Sequence, residues 1–151
     1  MAEMTRQEAS IEALDILVGG WIMTASLAPD PADAPRASTS FEWLAGARFL
    51  VQRWEVDHAD APDGIAIIGL DAAGAGYLQH YFDSREIARV SEMTFGDNVW
   101  TLERHAATPD FSQRFTGTFS DDGNTIVGRW ESSTDGSNWA PDFDLTYMRV
   151  R

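Results

Sequence analysis

The sequence predicts an all-β protein, an antiparallel up-and-down β-barrel of about ten strands with one short N-terminal helix. Three observations carry that expectation. From Trp21 onward, apolar, β-branched and aromatic residues recur with a period of two. Turn signals interrupt this pattern at short, regular intervals. No connection after residue 20 is long enough for the helical crossover that parallel strands need. A meander of that length must hide its two edges. Closure into a barrel with the helix over one end is the simpler solution, and a two-sheet sandwich is the alternative.

Taken in order, the helix is expected over residues 6–18. Thr5 and Glu8 form a capping-box pattern, Ile11, Leu14 and Leu17/Val18 follow at helical spacing, and Gly19-Gly20 stops it. Strands follow near 20–27, 38–45, 47–56, 64–71, 75–83, 86–95, 98–106, 111–119, 124–132 and 139–150. The turns APDG, DAAGAG, FDSRE, FGDN, SDDGN and STDGSN separate the later strands, with Gly, Asp and Asn supplying the positive φ of tight hairpins. The Pro-rich stretch APDPADAPRA at 28–37 is the one long loop near the N-terminal end. The whole chain, 1–151, therefore reads as a single domain with the barrel over 20–150.

One of these turns resembles a metal loop. In ESSTDGSNWAPD at 131–142, Glu131, Ser133, Asp135, Gly136 and Asp142 fall on positions one, three, five, six and twelve of a calcium-binding loop. That loop lies between two helices, begins with Asp and ends with Glu. This one lies between period-two stretches, begins with Glu and ends with Asp, so it is read as the last hairpin turn.

Composition narrows the function. The chain carries 11 basic against 24 acidic residues, a net charge of −13, which disfavours nucleic-acid and membrane partners. It has no cysteine, which excludes disulfides, zinc–thiolate sites and thiol nucleophiles. Glu12 and Asp15 interrupt the only apolar run near the N-terminus, so no signal peptide is read there, and no stretch of 18 uncharged apolar residues occurs. A cytoplasmic location is the expectation.

Catalytic and metal motifs are sparse. There is no G-x-S-x-G elbow and no HExxH, and GLDAAGAGY lacks the following helix that a phosphate cradle requires. His58 lies in an acidic loop, His80 shares a face with Leu78 and Phe82, and His105 stands two residues after Glu103, where an ion pair at a strand end is expected. No metal site is expected.

The strand faces carry more. Leu50, Gln52, Trp54 and Val56 share one face; so do Trp100, Leu102 and Arg104, and so do Phe111, Gln113, Phe115 and Phe119. Ile126/Gly128/Trp130 and Phe143/Leu145/Tyr147 form the apolar sets of the last two strands. Aromatics with a few polar groups suit a barrel interior that holds a small ligand. The expected ligand-binding set is Trp43, Gln52, Trp54, His80, Met93, Arg104, Gln113, Trp130 and Tyr147, with Arg104, Gln52 and Gln113 anchoring a polar end.

The order helix, LVGGW at 17–21, then a meander ending in DLTYMRV at 144–150 resembles the calycin architecture of lipocalins and fatty-acid-binding proteins. That resemblance implies a structural cation–π contact between Trp21 and Arg149. FEWLAGARFLVQRW at 41–54, GLDAAGAGYLQHYFDS at 69–84 and FSDDGNTIVGRWESSTDGSNWAPDFDLTYMRV at 119–150 are similar to a bacterial lipocalin-like family of unknown function. Nitrobindins, a neighbouring ten-stranded group, bind haem through a His near the C-terminus. The last His of this chain is His105, so haem is disfavoured and no cofactor is expected. The resulting expectation is a binding protein for a small hydrophobic or aromatic molecule. A small cyclase or isomerase using Tyr81, Tyr147, Arg104 or His80 is the rival, more distant because no motif demands catalysis. A protein-interaction module is a third reading, and a homodimer stays open.

Overall fold

Side chains alternate inward and outward along ten strands of the computed structural model, which describes residues 10–26, 36–57, 61–106 and 110–150. The strands are β1 (Gly19–Ala25), β2 (Arg36–Trp43), β3 (Leu50–Val56), β4 (Gly64–Leu70), β5 (Tyr77–Asp83), β6 (Ala88–Gly96), β7 (Val99–Arg104), β8 (Ser112–Phe119), β9 (Thr125–Ser133) and β10 (Ala140–Arg149). Each pairs antiparallel with the next, and β10 returns to pair with β1 in the register Trp21↔Arg149. The sheet is thus a closed up-and-down barrel and not a sandwich. Closure leaves no strand edge unpaired. Every strand expected from the sequence is present, with ends within three residues of the expectation.

Turn chemistry fixes the register. Asp97 and Asn98 both have positive φ, 52° and 64°, between the paired residues Gly96 and Val99. A two-residue loop of that kind is a type I′ turn, whose twist matches the flanking strands. The stretch that resembles a calcium loop is the β9–β10 turn. The Asp135 carboxylate accepts hydrogen bonds from the Ser137 and Asn138 amides, the Asn138 side chain and the Ser133 hydroxyl. Trp139 stacks under the Arg114 guanidinium, 4.3 Å from ring centre to Cζ.

The short N-terminal helix expected from the sequence is present. Glu12–Leu17 is a single 3-10 helix, and the capping pair Thr5 and Glu8 lies outside the described residues. Leu14 and Leu17 are three residues apart, a spacing that a three-residue turn stacks on one line. Both are fully buried and act as the stopper of the barrel's closed end. Trp21 packs beneath them, its Nε1 donating to the Leu17 carbonyl at 2.9 Å.

Arg149 secures that end. Its guanidinium lies 4.1 Å from the centre of the Trp21 ring and donates to the carbonyls of Ile16, Val18 and Gly123. The floor above is aromatic and aliphatic: Trp21 meets Phe119 and Tyr147 edge-on, and Leu50, Ile68, Met93 and Ile126 are all but inaccessible. Gly128 lies on the inward face of β9 because nothing larger fits. A Cβ there would stand 2.4 Å from the Phe115 ring and 2.9 Å from the Leu145 carbonyl. Among the described residues no helix is long and apolar enough to cross a membrane.

Candidate ligand cavity

The packed floor fills only one end of the barrel. Above it the side chains leave a cavity of about 480 Å³ that opens at the other end. Binding sites for small organic molecules commonly measure a few hundred to about 1,000 Å³, so this space is large enough to matter.

Two walls of different chemistry face each other across it. Trp100 and Leu102 of β7, Phe115 of β8, Trp130 of β9, and Phe143, Leu145 and Tyr147 of β10 form an apolar, mainly aromatic wall. Their rings are in mutual contact, with Trp100–Phe115 and Phe115–Trp130 centroids 5.0 and 5.3 Å apart. Gln52 of β3, Gln79 of β5, and Arg89 and Ser91 of β6 supply a polar wall, with Gln113 of β8 at its far side. Gln52, Gln79 and Ser91 are buried polar residues. Such residues persist inside a barrel only where a partner satisfies them.

For Gln52 the partners are identified. Its Nε2 donates to the Thr39 hydroxyl at 3.1 Å, and that hydroxyl donates to the Arg53 carbonyl. Burial pushes the Tyr147 hydroxyl well above the usual tyrosine range, opposed by a hydrogen bond with Gln52. Trp100 is different: its Nε1 is buried without an acceptor.

At the mouth Trp54 and Tyr81 stack, 5.4 Å between centroids and 29° between planes. Gly64 makes room for that pair, since a Cβ there would lie 2.2 Å from the Trp54 ring. The Tyr81 hydroxyl donates to the Asp83 carboxylate at 2.6 Å, and Asp83 also pairs with Arg85 at 2.7 Å. Burial, joined by that hydrogen bond, pushes the Tyr81 hydroxyl up to about 12, so it stays neutral. Burial also pushes the Asp83 carboxyl up, but the hydrogen bonds from Arg85 and Tyr81 outweigh it and hold the group well below the usual carboxylate range. A register shift in β10 between Pro141 and Phe143 coincides with Asp142, which lines the mouth.

The expected ligand-binding residues divide in two. Gln52, Trp54, Gln113, Trp130 and Tyr147 line the cavity. Trp43, His80, Met93 and Arg104 do not. Trp43 packs at the closed end and donates to the Asp15 carboxylate. Met93 is part of the floor, 2% exposed. His80 is exposed on the outside of β5, because Tyr77, Gln79 and Tyr81 take the inward positions. Arg104 shares the inward face but folds onto the segment before β8, donating to Asp110 and to the Phe111 carbonyl at 2.6 Å.

The lining also includes Arg89, Gln79, Ser91 and Trp100, which are not among the expected ligand contacts. Strand parity could have found two of them, since Arg89 and Ser91 alternate with Met93. His105 pairs with Glu103 at 2.9 Å beyond the end of β7, and His58 lies outside the described residues. Neither His80 nor His105 lines the cavity. Among the described residues no group of three or more His, Cys, Asp or Glu side chains could hold a metal ion.

Fold and cavity together define a class: a ten-stranded closed antiparallel barrel, plugged at one end and hollow at the other. Among solved structures the chain is similar to Rv2717c from M. tuberculosis, with a TM-score of 0.64 and 15% identity over 96% of this chain and 100% of that one. At that identity the likeness is one of fold. No protein-family model and no curated protein sequence matches the chain.

Proposed function

We propose that this is a lipocalin-like binding protein of bacterial type that holds a small hydrophobic or aromatic molecule inside the barrel, in the cytoplasm. The observation that supports the reading is the two-faced cavity, about 480 Å³, with aromatic rings opposite buried glutamines. A barrel selected only for stability would fill this space, because an unfilled interior forfeits packing contacts. A thermal-shift screen against fatty acids, retinoids and planar aromatic compounds, followed by native mass spectrometry of the hits, tests it. A ligand present at a hundred times its dissociation constant stabilises the fold by about 2.7 kcal/mol, enough to raise Tm by several degrees. A screen in which no compound shifts Tm or stays bound in the gas phase would sink the proposal.

The cyclase or isomerase reading finds less support. Tyr81 is the hydroxyl at the mouth best placed to donate to a substrate, and its proton is committed to Asp83.

A further inference from the structure

The arginines of this chain point to the kind of molecule the cavity takes. All eleven basic residues are arginine, against 24 acids, so carboxylates are abundant everywhere. Among the described residues five arginines have such a partner: Arg53 with Glu42, Arg85 with Asp83, Arg104 with Asp110, Arg114 with Glu131 and Arg129 with Asp144. Arg149 is engaged by backbone carbonyls and the Trp21 ring. Arg36, Arg48 and Arg89 have no described carboxylate at ion-pair distance, and two of these three, Arg36 and Arg89, line the cavity.

Arg89 is the more telling. Its Nη1 donates to Gln113 Oε1 at 3.0 Å, and its Cζ lies 5.4 Å from the centre of the Phe111 ring. A neutral amide and a ring face thus orient the fork without neutralising it, and most of its five N–H donors keep no described acceptor. Arg104 approaches the same Phe111 ring, also at 5.4 Å, but its charge is taken up by Asp110, so among the described residues Arg89 carries the free charge of the pair. Asp142, the acid that lines the mouth, pairs with neither Arg36 nor Arg89. A cation inside a cavity with no carboxylate at ion-pair distance among the described residues, in so acidic a chain, is a place prepared for an anion.

We propose that the cavity is selective for an organic anion: a planar aromatic body against the Trp100–Phe115–Trp130 wall, its carboxylate or sulfonate on the Arg89 fork, with Arg36 at the mouth. This rests on the small-molecule reading above. Phe111 and Gln113 are positioning residues that hold the guanidinium in place.

The test compares two fluorescent probes of similar shape, the anion 8-anilinonaphthalene-1-sulfonate and the neutral N-phenyl-1-naphthylamine, on the wild-type protein and on Arg89→Gln. The wild type is expected to hold the anion about tenfold more tightly than the neutral probe, despite its net negative charge. Arg89→Gln is expected to lose that preference through the anion alone, with affinity for the neutral probe unchanged. Equal or tighter binding of the neutral probe by the wild type, or an unaltered ratio in the variant, overturns the anion proposal and leaves the small-molecule reading standing. If neither probe binds the wild type, the anion proposal falls and the ligand screen decides the small-molecule reading. Should Arg89→Gln fail to fold, the wild-type ratio decides.

Discussion

Asp135 shows how one side chain can set the acid stability of a turn. Hydrogen bonds from the Asn138 and Ser137 amides, then from the Asn138 and Ser133 side chains, hold its carboxyl well below the usual carboxylate range. A group whose pKa is depressed by folding binds its proton more readily in the unfolded chain. Its contribution is therefore complete above the unfolded value of about 4 and is lost as pH falls through the lower folded value. Asp83 behaves alike, through Arg85 and Tyr81. Thermal melts from neutral to acid pH should show Tm falling below that point. In Asp135→Asn the fall should be shallower and the neutral Tm lower. An identical acid slope in the variant would show that the turn carboxylate carries no linkage.

At the scale of elements, the 3-10 helix works as a stopper seated by two leucines. Leu14→Ala should cost about 2–5 kcal/mol in urea unfolding, the range for deleting a fully buried side chain that its surroundings cannot refill. A loss below 1 kcal/mol would mean that the helix rests on the barrel without sealing it. This element also marks a limit of what the sequence makes legible. Ile11, Leu14 and Leu17 serve a 3.6-residue and a three-residue helix about equally, and the chain takes the tighter one before Val18 leaves the helix for β1.

Strands with a clear polar face were legible to the residue. Gln52 and Trp54 of β3 line the cavity because Arg53 and Glu55 could only face water. In β5 both faces are half apolar: Tyr77, Gln79 and Tyr81 oppose Leu78, His80 and Phe82, and nothing local chooses between them. The register with the preceding strand β4, Ile67↔His80 and Ala66↔Tyr81, carries the choice outside the strand itself. In β6 ordinary polarity is inverted near the mouth, with Arg89 inward and Val90 half exposed. Hydrophobicity alone places such a strand the wrong way round. Arg104 follows its strand's parity correctly and then leaves the interior, drawn by Asp110 and the Phe111 carbonyl.

For the whole molecule, charge opposes compactness. Thirteen net negative charges on a barrel of 151 residues repel one another, and salt screens them over about 10 Å at 0.1 M. Tm should therefore rise as sodium chloride is added, the reverse of what a fold held by its surface ion pairs would show. The exposed pairs Arg53–Glu42 and Arg129–Asp144 are too weak individually to reverse that sign. A Tm that falls with salt would show that local pairing outweighs the net field.

The seam between β1 and β10 has a consequence for biosynthesis. The first strand finds its second neighbour only when the last has been made, since Trp21 lies opposite Arg149. Until then a nascent chain carries two bare edges, an unclasped stopper and a hollow lined with aromatic rings. During translation it is a curled, sticky ribbon, and the residues that latch it shut are among the last the ribosome adds to this stretch.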